Sequence, residues 1–230
     1  MSMRVIAVIP ARIDSSRFPA KMIAKESGKP LIQYAWDVAT GTNSVTDVYI
    51  ATDSEEIASV VRGFGAKVIM TGEHPNGTSR IAEAVRKLEC DVVVNVQGDE
   101  PELDPKVIDA VVSILGKSVM ATAACTLQED DINNENVVKV IVDGNHATDF
   151  TRQPQECAFR HLGLYVYTRD FLQTYVEMQP TQNEISRKLE QMRAIDNGYT
   201  IAVAMVEPQP SGIDTPEQYA EFVGRQNNQS

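Results

Sequence analysis

The sequence contains few cysteines and few basic residues. Its three cysteines, Cys90, Cys125 and Cys157, lie far apart and form no CxxC pair, which argues against a zinc ribbon and a disulfide framework. Its 21 Lys and Arg stand against 32 Asp and Glu, which gives a formal net charge of −11. Proteins that bind nucleic acid through its phosphates usually carry the opposite excess, so we expect no nucleic-acid partner.

Long apolar runs and targeting signals are missing as well. No window approaches the ~18 consecutive apolar residues of a membrane span. No basic amphipathic segment suited to a membrane surface is present either. The N-terminus enters a strand-like segment, Arg4–Pro10, without the charged and apolar regions of a secretion signal. We therefore expect a cytoplasmic protein without a membrane partner.

The charge is distributed unevenly along the chain. Residues 1–30 contain six basic and two acidic residues, a local charge of +4, while the other 200 residues carry −15. A basic segment on an acidic protein favours a small anionic ligand bound near the N-terminus. Solvated surface charge is the plain alternative at this point.

Short apolar, β-branched runs alternate with amphipathic helical segments. The predicted strands are Val5–Ile9, Asp47–Thr52, Lys67–Met70, Asp91–Val96, Val119–Thr126, Val137–Asp143, Leu162–Thr168 and Thr200–Val206. The predicted helices are Leu31–Thr40, Ser54–Phe64, Ser79–Leu88, Pro105–Leu115, Arg169–Met178, Glu184–Asn197 and Pro216–Val223. This alternation predicts an α/β fold with a mainly parallel, right-handed doubly wound sheet. We expect one domain over residues 1–230, with a small excursion at about 125–205.

Ligands of such sheets bind beyond the carboxyl ends of the strands, so the residues that follow each strand matter most. After the first strand come three cations, Arg12, Arg17 and Lys21, with the hydroxyls of Ser15 and Ser16 between them. A triphosphate needs a multidentate cationic site of this kind. The segment contains neither GxxxxGK[ST] nor GxGxxG, which disfavours a P-loop and a dinucleotide site. A solvated basic loop is the alternative.

Two carboxylates also stand at positions suited to a ligand. Asp99 follows the apolar strand beside Gly98, and Asp214 comes just before the last helix. Mg²⁺ is typically held by one or two carboxylates together with phosphate oxygens, so the pair is a candidate site for Mg²⁺. A tight turn at Asp99 and an ordinary helix cap at Asp214 are the alternatives.

Other segments are ambiguous when taken alone. Asn76–Arg80 can begin a helix whose amides bind a base edge or a phosphate, or can be a plain loop. His161 lies beside a strand, where a structural histidine is more common than a ligand. The charged run Lys188–Arg193 is typical of a solvated helix face.

Taken together, the motifs resemble one family over nearly the whole chain, the 3-deoxy-D-manno-octulosonate cytidylyltransferases, or CMP-Kdo synthetases. The similar segments are Val5–Lys21 (VIAVIPARIDSSRFPAK), Gly28–Trp36, Ile50–Ser54, Asn76–Val85, Val93–Pro101 (VVNVQGDEP), Val137–Asp143, Arg160–Leu172 (RHLGLYVYTRDFL), Lys188–Gly198 (KLEQMRAIDNG) and Ser211–Gln218. The first motif is shared with sialic-acid-type cytidylyltransferases, whereas the QGDEP, RHxGxYxY and LEQxR elements are more specific.

The resemblance implies a Rossmann-like nucleotide-diphospho-sugar transferase fold, with a mixed, mainly parallel sheet and helices on both faces. It also implies a homodimer, Mg²⁺ as cofactor, and CTP and a ulosonic sugar acid as substrates. Its product would supply the biosynthesis of lipopolysaccharide or another cell-surface sugar. It places the sugar site and the dimer contact in the excursion at 125–205. It implies that Arg12, Lys21, Asp99 and Asp214 are catalytic, with Asp99 and Asp214 as metal ligands. The implied CTP-binding residues are Arg12, Ser16, Arg17, Lys21, Thr52, Asp53, Gly77, Thr78, Arg80 and Gln97. The implied sugar-binding residues are Gln97, Arg152, His161, Tyr165, Glu190 and Gln191.

The chain departs from the family pattern at three places. Only Thr151–Arg160 fills the gap where the family has a longer insertion, Ala20 replaces a glycine, and Met192 replaces a leucine. The short segment leaves open whether the sugar is Kdo, its 8-amino variant or a sialic-acid-like acid. A nucleotidyltransferase for another base typically begins with a GxGTR motif, which this chain lacks. A non-catalytic nucleotide-binding homologue is disfavoured by the presence of Lys21, Asp99 and Asp214.

Overall fold

The computed structural model describes residues 3–13 and 17–228. Its elements follow one another as β1 (Val5–Ala11), α1 (Leu31–Thr40), β2 (Asp47–Thr52), α2 (Glu55–Gly63), β3 (Lys67–Met70), α3 (Gly77–Arg86), β4 (Val92–Asn95), α4 (Pro105–Ile114), β5 (Met120–Cys125), α5 (Glu129–Ile132), β6 (Lys139–Asp143), β7 (His146–Thr151), β8 (Phe159–Thr168), α6 (Arg169–Glu177), α7 (Gln182–Arg187), α8 (Met192–Asp196), β9 (Ile201–Met205) and α9 (Pro216–Asn227). A short 3₁₀ turn covers Lys21–Ile23. Among the described residues, no helix is both long and apolar enough to cross a membrane.

The chain forms two compact units. The first comprises Met1–Pro105 and Gln209–Ser230, and the second comprises Lys106–Pro208. The expectation of a single domain with an excursion at about 125–205 stays a prediction.

The first unit is built on a parallel sheet in the order β3-β2-β1-β4. The central strand β1 is buried along almost its whole length, and the three valines of β4 are buried beside it. Such β-branched runs favour extended backbone and pack well on a pleated surface. Because all pairings are parallel, the carboxyl ends of these strands lie at one edge of the sheet, and the candidate residues Arg12, Asp53 and Gln97 follow three of them.

The helices α2, α3 and α9 of the first unit begin at side-chain caps, whereas α1 begins after Pro30 without one. Ser54 accepts a hydrogen bond from the Ile57 amide at the start of α2, and Asn76 accepts one from the Ser79 amide at the start of α3. At the start of α9, Thr215 and Gln218 form a capping box around Pro216. These side chains satisfy amides that have no partner inside the helix.

The second unit has a mixed sheet in the order β8-β5-β9-β7-β6, in which β6 also pairs with β8. Strands β5 and β9 are parallel, whereas β8 is antiparallel to β5, and β7 is antiparallel to both β6 and β9. The predicted α/β class and mixed sheet are confirmed. Parallel pairing predominates in the first unit and antiparallel pairing in the second.

Three elements of the second unit differ from the sequence-based expectation. The short helix α5 is not among the predicted helices. No strand is predicted between Asp143 and Leu162 either, and β7 escapes prediction because only its Ala147 and Phe150 are buried and the rest of the strand is polar. The expected helix Glu184–Asn197 is two helices, because Lys188 adopts a left-handed conformation with φ of 55° that ends α7. An L-residue in that conformation cannot continue a right-handed helix.

Candidate functional site

A cleft of about 300 Å³ opens in the first unit, where the carboxyl ends of β1 and β4 lie side by side. It is lined by segments that follow β1 and β4, by the start of α3 and by the segment before α9. The lining residues are Pro10, Ala11, Arg12, Arg17, Lys21, Met22, His74, Pro75, Asn76, Gly77, Arg80, Gln97, Asp99 and Asp214. The structure therefore brings together most of the residues that the sequence predicted for the nucleotide and the metal.

Lys21 lies at the base of this site and is almost fully buried. Its Nζ donates to Asp99 Oδ2 at 2.7 Å and to the carbonyl oxygen of Ile213 at 2.6 Å, and it lies 3.6 Å from Asp214 Oδ1. Arg17 reaches the same carboxylate, with Nη2 3.0 Å from Asp214 Oδ1. Each of the two predicted metal ligands is thus in contact with a cation from the basic segment of residues 1–30.

Backbone contacts hold the two carboxylate segments against each other. The Ile213 amide donates to the carbonyl oxygen of Asp99 at 2.8 Å. A Cβ on Gly212 would lie 3.3 Å from that same oxygen, which is tighter than ordinary van der Waals contact. A Cβ on Gly98 would lie 2.9 Å from Met22 Sδ. Glycine at position 212 therefore permits the close approach of the two segments that carry Asp99 and Asp214, whereas the contact at Gly98 involves only the flexible end of Met22.

The carboxylate pair matches the coordination chemistry of Mg²⁺. The described residues contain no group of three or more His, Cys, Asp or Glu that could enclose a metal ion. Mg²⁺ does not require such a group, because it usually takes one or two carboxylates and completes its shell with water and phosphate oxygens. Asp99 and Asp214 are both part-exposed and lie on the cleft, so they can be reached together with a bound phosphate.

Arg80 also lines the cleft, and its guanidinium connects three of the surrounding segments. Its Nη2 donates to Asp53 Oδ2 at 2.7 Å, and its Nη1 donates to Thr71 Oγ1 at 2.7 Å. The guanidinium thereby joins α3 to the segments that follow β2 and β3. Asp53 and Thr52 do not belong to the lining of the cleft. Thr52 is fully buried and accepts a hydrogen bond from the Ser54 amide.

Three further predicted nucleotide-binding residues have distinct positions. Gly77 starts α3 on the wall of the cleft, with its α-carbon so close to Pro10 that a Cβ would lie 3.0 Å from the proline ring. Thr78 is buried behind it. Gln97 lines the cleft, and its Nε2 donates to Asn95 Oδ1 at 3.2 Å. Ser16 lies outside the described residues.

Sequence reasoning missed His74, which also lines the cleft. Its Nε2 lies 2.6 Å from Glu83 Oε2, and the Gly72 amide donates to the same oxygen at 3.0 Å. The hydrogen bond from His74, followed by that from Gly72, holds the pKa of Glu83 below its usual range. The nine-residue separation of His74 and Glu83 matches neither strand nor helix periodicity, so no sequence signal pointed to the pair.

The remaining predicted sugar-binding residues lie in the second unit. Arg152 Nη1 donates to the carbonyl oxygens of Glu135 and Asn136, each at 3.1 Å. The carbonyl oxygen of Arg152 accepts a hydrogen bond at 3.0 Å from the ammonium of buried Lys139, whose pKa is lowered by desolvation. The conformation of the short segment that begins at Thr151 is thus tied to strand β6.

His161 and Tyr165 are neighbours on β8. Their rings are 5.3 Å apart between centroids, and His161 Nε2 lies 2.9 Å from Thr122 Oγ1. Desolvation by burial lowers the pKa of His161 to about 3, so the ring is neutral at physiological pH. Gln191 is buried, and the carbonyl oxygen of Glu190 accepts a hydrogen bond from Tyr175 at 2.6 Å. The assignment of these five residues to the sugar stays a prediction.

The cleft and the surrounding fold agree with a known family. A family model described as cytidylyltransferase matches residues 6–201, which places the chain among the cytidylyltransferases. The structure of a CMP:2-keto-3-deoxy-manno-octonic acid synthetase complexed with CTP superimposes with a TM-score of 0.94 at 31% identity, covering 99% of this chain and 100% of that chain. This similarity confirms the predicted nucleotide-diphospho-sugar transferase fold.

Curated relatives define the family more narrowly. The 3-deoxy-manno-octulosonate cytidylyltransferase of Geotalea daltonii is 38% identical over 93% of this chain and 94% of its own length. The 8-amino-3,8-dideoxy-manno-octulosonate cytidylyltransferase of Shewanella pealeana is 40% identical over 94% of this chain and 95% of its own. The chain belongs to the 3-deoxy-manno-octulosonate cytidylyltransferase family, which confirms the prediction of a nucleotidyltransferase.

Proposed function

We propose that this protein transfers CMP from CTP to the anomeric hydroxyl of 3-deoxy-D-manno-octulosonate and releases pyrophosphate. The observation that carries the proposal is the cleft beyond β1 and β4, which is lined by the cations Arg12, Arg17 and Lys21 together with the carboxylates Asp99 and Asp214. The named relatives and the CTP-bound structure with the same fold support the choice of substrates.

The reaction is an in-line displacement at the α-phosphorus of CTP. The anomeric oxygen forms a bond to that phosphorus, the bond to the bridging oxygen of the β-phosphate breaks, and the hydroxyl proton is released to solvent. Transfers of this kind depend mainly on positioning and on neutralisation of phosphate charge. The cations of the first basic segment are suited to that task, and no nucleophilic side chain is required.

Mg²⁺ would be held by Asp99 and Asp214 together with phosphate oxygens. When bound, it would offset the negative charge of the phosphates and lower the pKa of the attacking hydroxyl. The protein's own contribution is to position these carboxylates, through the Ile213–Asp99 backbone hydrogen bond and the two cations beside them.

The identity of the sugar acid is the finer part of the proposal. The relative named for the 8-amino sugar is as similar to this chain as relatives named for Kdo, at 40% against 37 to 40% identity. The decisive experiment is a pyrophosphate-release assay with Mg²⁺, each nucleoside triphosphate and a panel of sugar acids. We expect turnover with CTP and Kdo. Turnover with UTP or GTP only would contradict the proposal, and no turnover with any pair would favour a non-catalytic nucleotide-binding protein.

Three further parts of the proposal rest on the family resemblance: a homodimer, a cytoplasmic location, and a role in supplying lipopolysaccharide biosynthesis. The second unit exposes Ile132, Ile185 and Met205, the kind of apolar residues that subunit contacts bury. Sedimentation of the wild type against Ile185→Asp tests the dimer: we expect the substitution to shift the population toward monomer. A wild type that is monomeric at micromolar concentration would contradict the dimer.

A further inference from the structure

Lys21 makes contacts that differ from those of a simple phosphate-binding lysine. An ammonium group has three donors, and three oxygen atoms surround this one: Asp99 Oδ2 at 2.7 Å, the Ile213 carbonyl at 2.6 Å and Asp214 Oδ1 at 3.6 Å. The side chain is only 6% exposed. Its donors are therefore directed into the protein, toward both of the carboxylates proposed as metal ligands.

Arg17 supplies a second positive charge to the same pair. Its Nη2 lies 3.0 Å from Asp214 Oδ1, the same oxygen that lies 3.6 Å from Lys21 Nζ. The side chain of Arg17 is 62% exposed and that of Asp214 is 48% exposed, so this contact can exchange with solvent or with a ligand. Two cations thus balance the two carboxylates before any ligand charge is added.

We propose that Lys21 is the internal counter-ion of Asp99 and Asp214, and that it and Arg17 compete with a divalent cation for these carboxylates. The metal then binds tightly only together with nucleotide. This inference rests on the proposed function, because it takes the two aspartates as metal ligands. It assigns Lys21 a positioning role that the sequence did not indicate.

The charge of the cleft explains why nucleotide changes the competition. Among the described residues that line it, Arg12, Arg17, Lys21 and Arg80 are cationic and only Asp99 and Asp214 are anionic. The charge of Arg80 is offset by its contact with Asp53, which leaves three cations against two carboxylates. A divalent cation approaching this set is repelled by the ammonium and guanidinium groups at short distance. A triphosphate reverses the sign of the local charge. Its oxygens can accept hydrogen bonds from Arg17 and can also be ligands of the metal. Lys21 can then keep its buried contacts, and Asp99 and Asp214 would hold the metal together with the phosphate oxygens.

The test is Mn²⁺ binding, measured by electron paramagnetic resonance on nucleotide-free protein and again with a non-reactive α,β-methylene analogue of CTP. The variants are Lys21→Met and Arg17→Met, which keep an unbranched apolar stem and remove the charge. Lys25→Met is the control, because Lys25 is an exposed cation of the same basic segment that does not line the cleft. Circular dichroism establishes that each variant is folded.

We expect weak Mn²⁺ binding to the nucleotide-free wild type and at least tenfold tighter binding to Lys21→Met. Arg17→Met should tighten binding about threefold, and Lys25→Met should not change it. Equal Mn²⁺ affinity in wild type and Lys21→Met would overturn the proposal. If Lys21→Met does not fold, Arg17→Met decides: no gain in affinity there would also overturn it.

A further variant separates this inference from the proposed metal site. With the CTP analogue present, the Asp99→Asn variant should bind Mn²⁺ at least tenfold more weakly than the wild type does. If it does not, the metal site itself is wrong. If it does, but neither Lys21→Met nor Arg17→Met binds Mn²⁺ more tightly without nucleotide, the metal site stands and the counter-ion competition is wrong.

Discussion

The guanidinium of Arg80 donates to the carboxylate of Asp53 across 2.7 Å, which joins the first turn of α3 to the end of β2. The Arg80 side chain is 4% exposed and that of Asp53 is 25% exposed, so the guanidinium is shielded from water while the carboxylate is in part accessible. The same guanidinium also donates to Thr71, which follows β3. One side chain thus ties together three of the segments around the cleft.

Arg80→Met should therefore destabilise the protein. The substitution leaves the Asp53 carboxylate without its partner. At a fully buried site such a loss lowers the free energy of unfolding by roughly 3–5 kcal/mol. Because Asp53 is part-exposed, we expect about 2 kcal/mol here. Urea unfolding measures the effect. The control is Arg62→Met, whose ion pair with Glu55 is solvent-exposed and contributes less than about 1 kcal/mol. A loss at Arg80 no larger than at Arg62 would show that the Arg80 contacts are not structural.

Ala20→Gly should stabilise the protein. Ala20 has φ of 55° just before the 3₁₀ turn that carries Lys21, at the position where the sequence departs from the glycine of the family pattern. The left-handed conformation costs an L-residue roughly 1–2 kcal/mol. Glycine adopts it without strain but loses more entropy on folding. We expect a net gain of about 0.5–1 kcal/mol in urea unfolding.

Ala24→Gly is the matched control for Ala20. Ala24 has ordinary backbone angles, with φ of −59°, and packs against the cluster around Leu31 and Phe222. Glycine there should destabilise, since it adds chain entropy and removes a packed methyl group. Loss of stability in both variants would contradict the strain assigned to Ala20.

Asp99→Asn and Asp214→Asn should each reduce turnover roughly 10³-fold or more, since loss of a metal ligand removes several kcal/mol of charge stabilisation. Each asparagine keeps a side-chain oxygen that can accept from Lys21, so the fold should be retained. Pyrophosphate release measures turnover, and circular dichroism measures folding. Asp143→Asn, an exposed carboxylate of the second unit, is the control. Full activity in either cleft variant would remove that residue from the metal site.

Acid should destabilise the protein through His161. Burial lowers the pKa of His161 to about 3, whereas an unfolded histidine has a pKa of about 6.5. Between these values the unfolded chain binds a proton that the folded protein does not, so stability falls as pH falls. At about 1.4 kcal/mol per pH unit, roughly 2 kcal/mol is lost between pH 6.5 and pH 5.

His161→Gln isolates this contribution. Glutamine keeps a hydrogen-bonding group near Thr122 but does not titrate. Urea unfolding at pH 7, 6 and 5 should therefore give a shallower loss of stability in the variant. This pH window lies above the range near pH 4 in which most carboxylates titrate. Parallel profiles for the variant and the wild type would show that His161 is not the group responsible.

Much of the first unit could be predicted from local sequence pattern. The bounds of α1, β2 and β3 agree with the expected segments Leu31–Thr40, Asp47–Thr52 and Lys67–Met70. Each is a short local run whose ends can be recognised in the sequence. The second unit was less predictable: β7 is largely polar, and its strand conformation depends on pairing with β6 and β9.

Which residues follow which strand can be predicted from local pattern alone. Because parallel strands end at one edge of a sheet, that order is enough to bring Arg12, Gln97 and Asp99 to one cleft. The pairing of the charges, by contrast, depends on the packing of the folded chain. Lys21 meets Asp99 across 78 positions of the chain and the Ile213 carbonyl across 192. No periodicity spans such separations, so the contacts that bury Lys21 between two carboxylates follow from how the chain packs, not from local pattern.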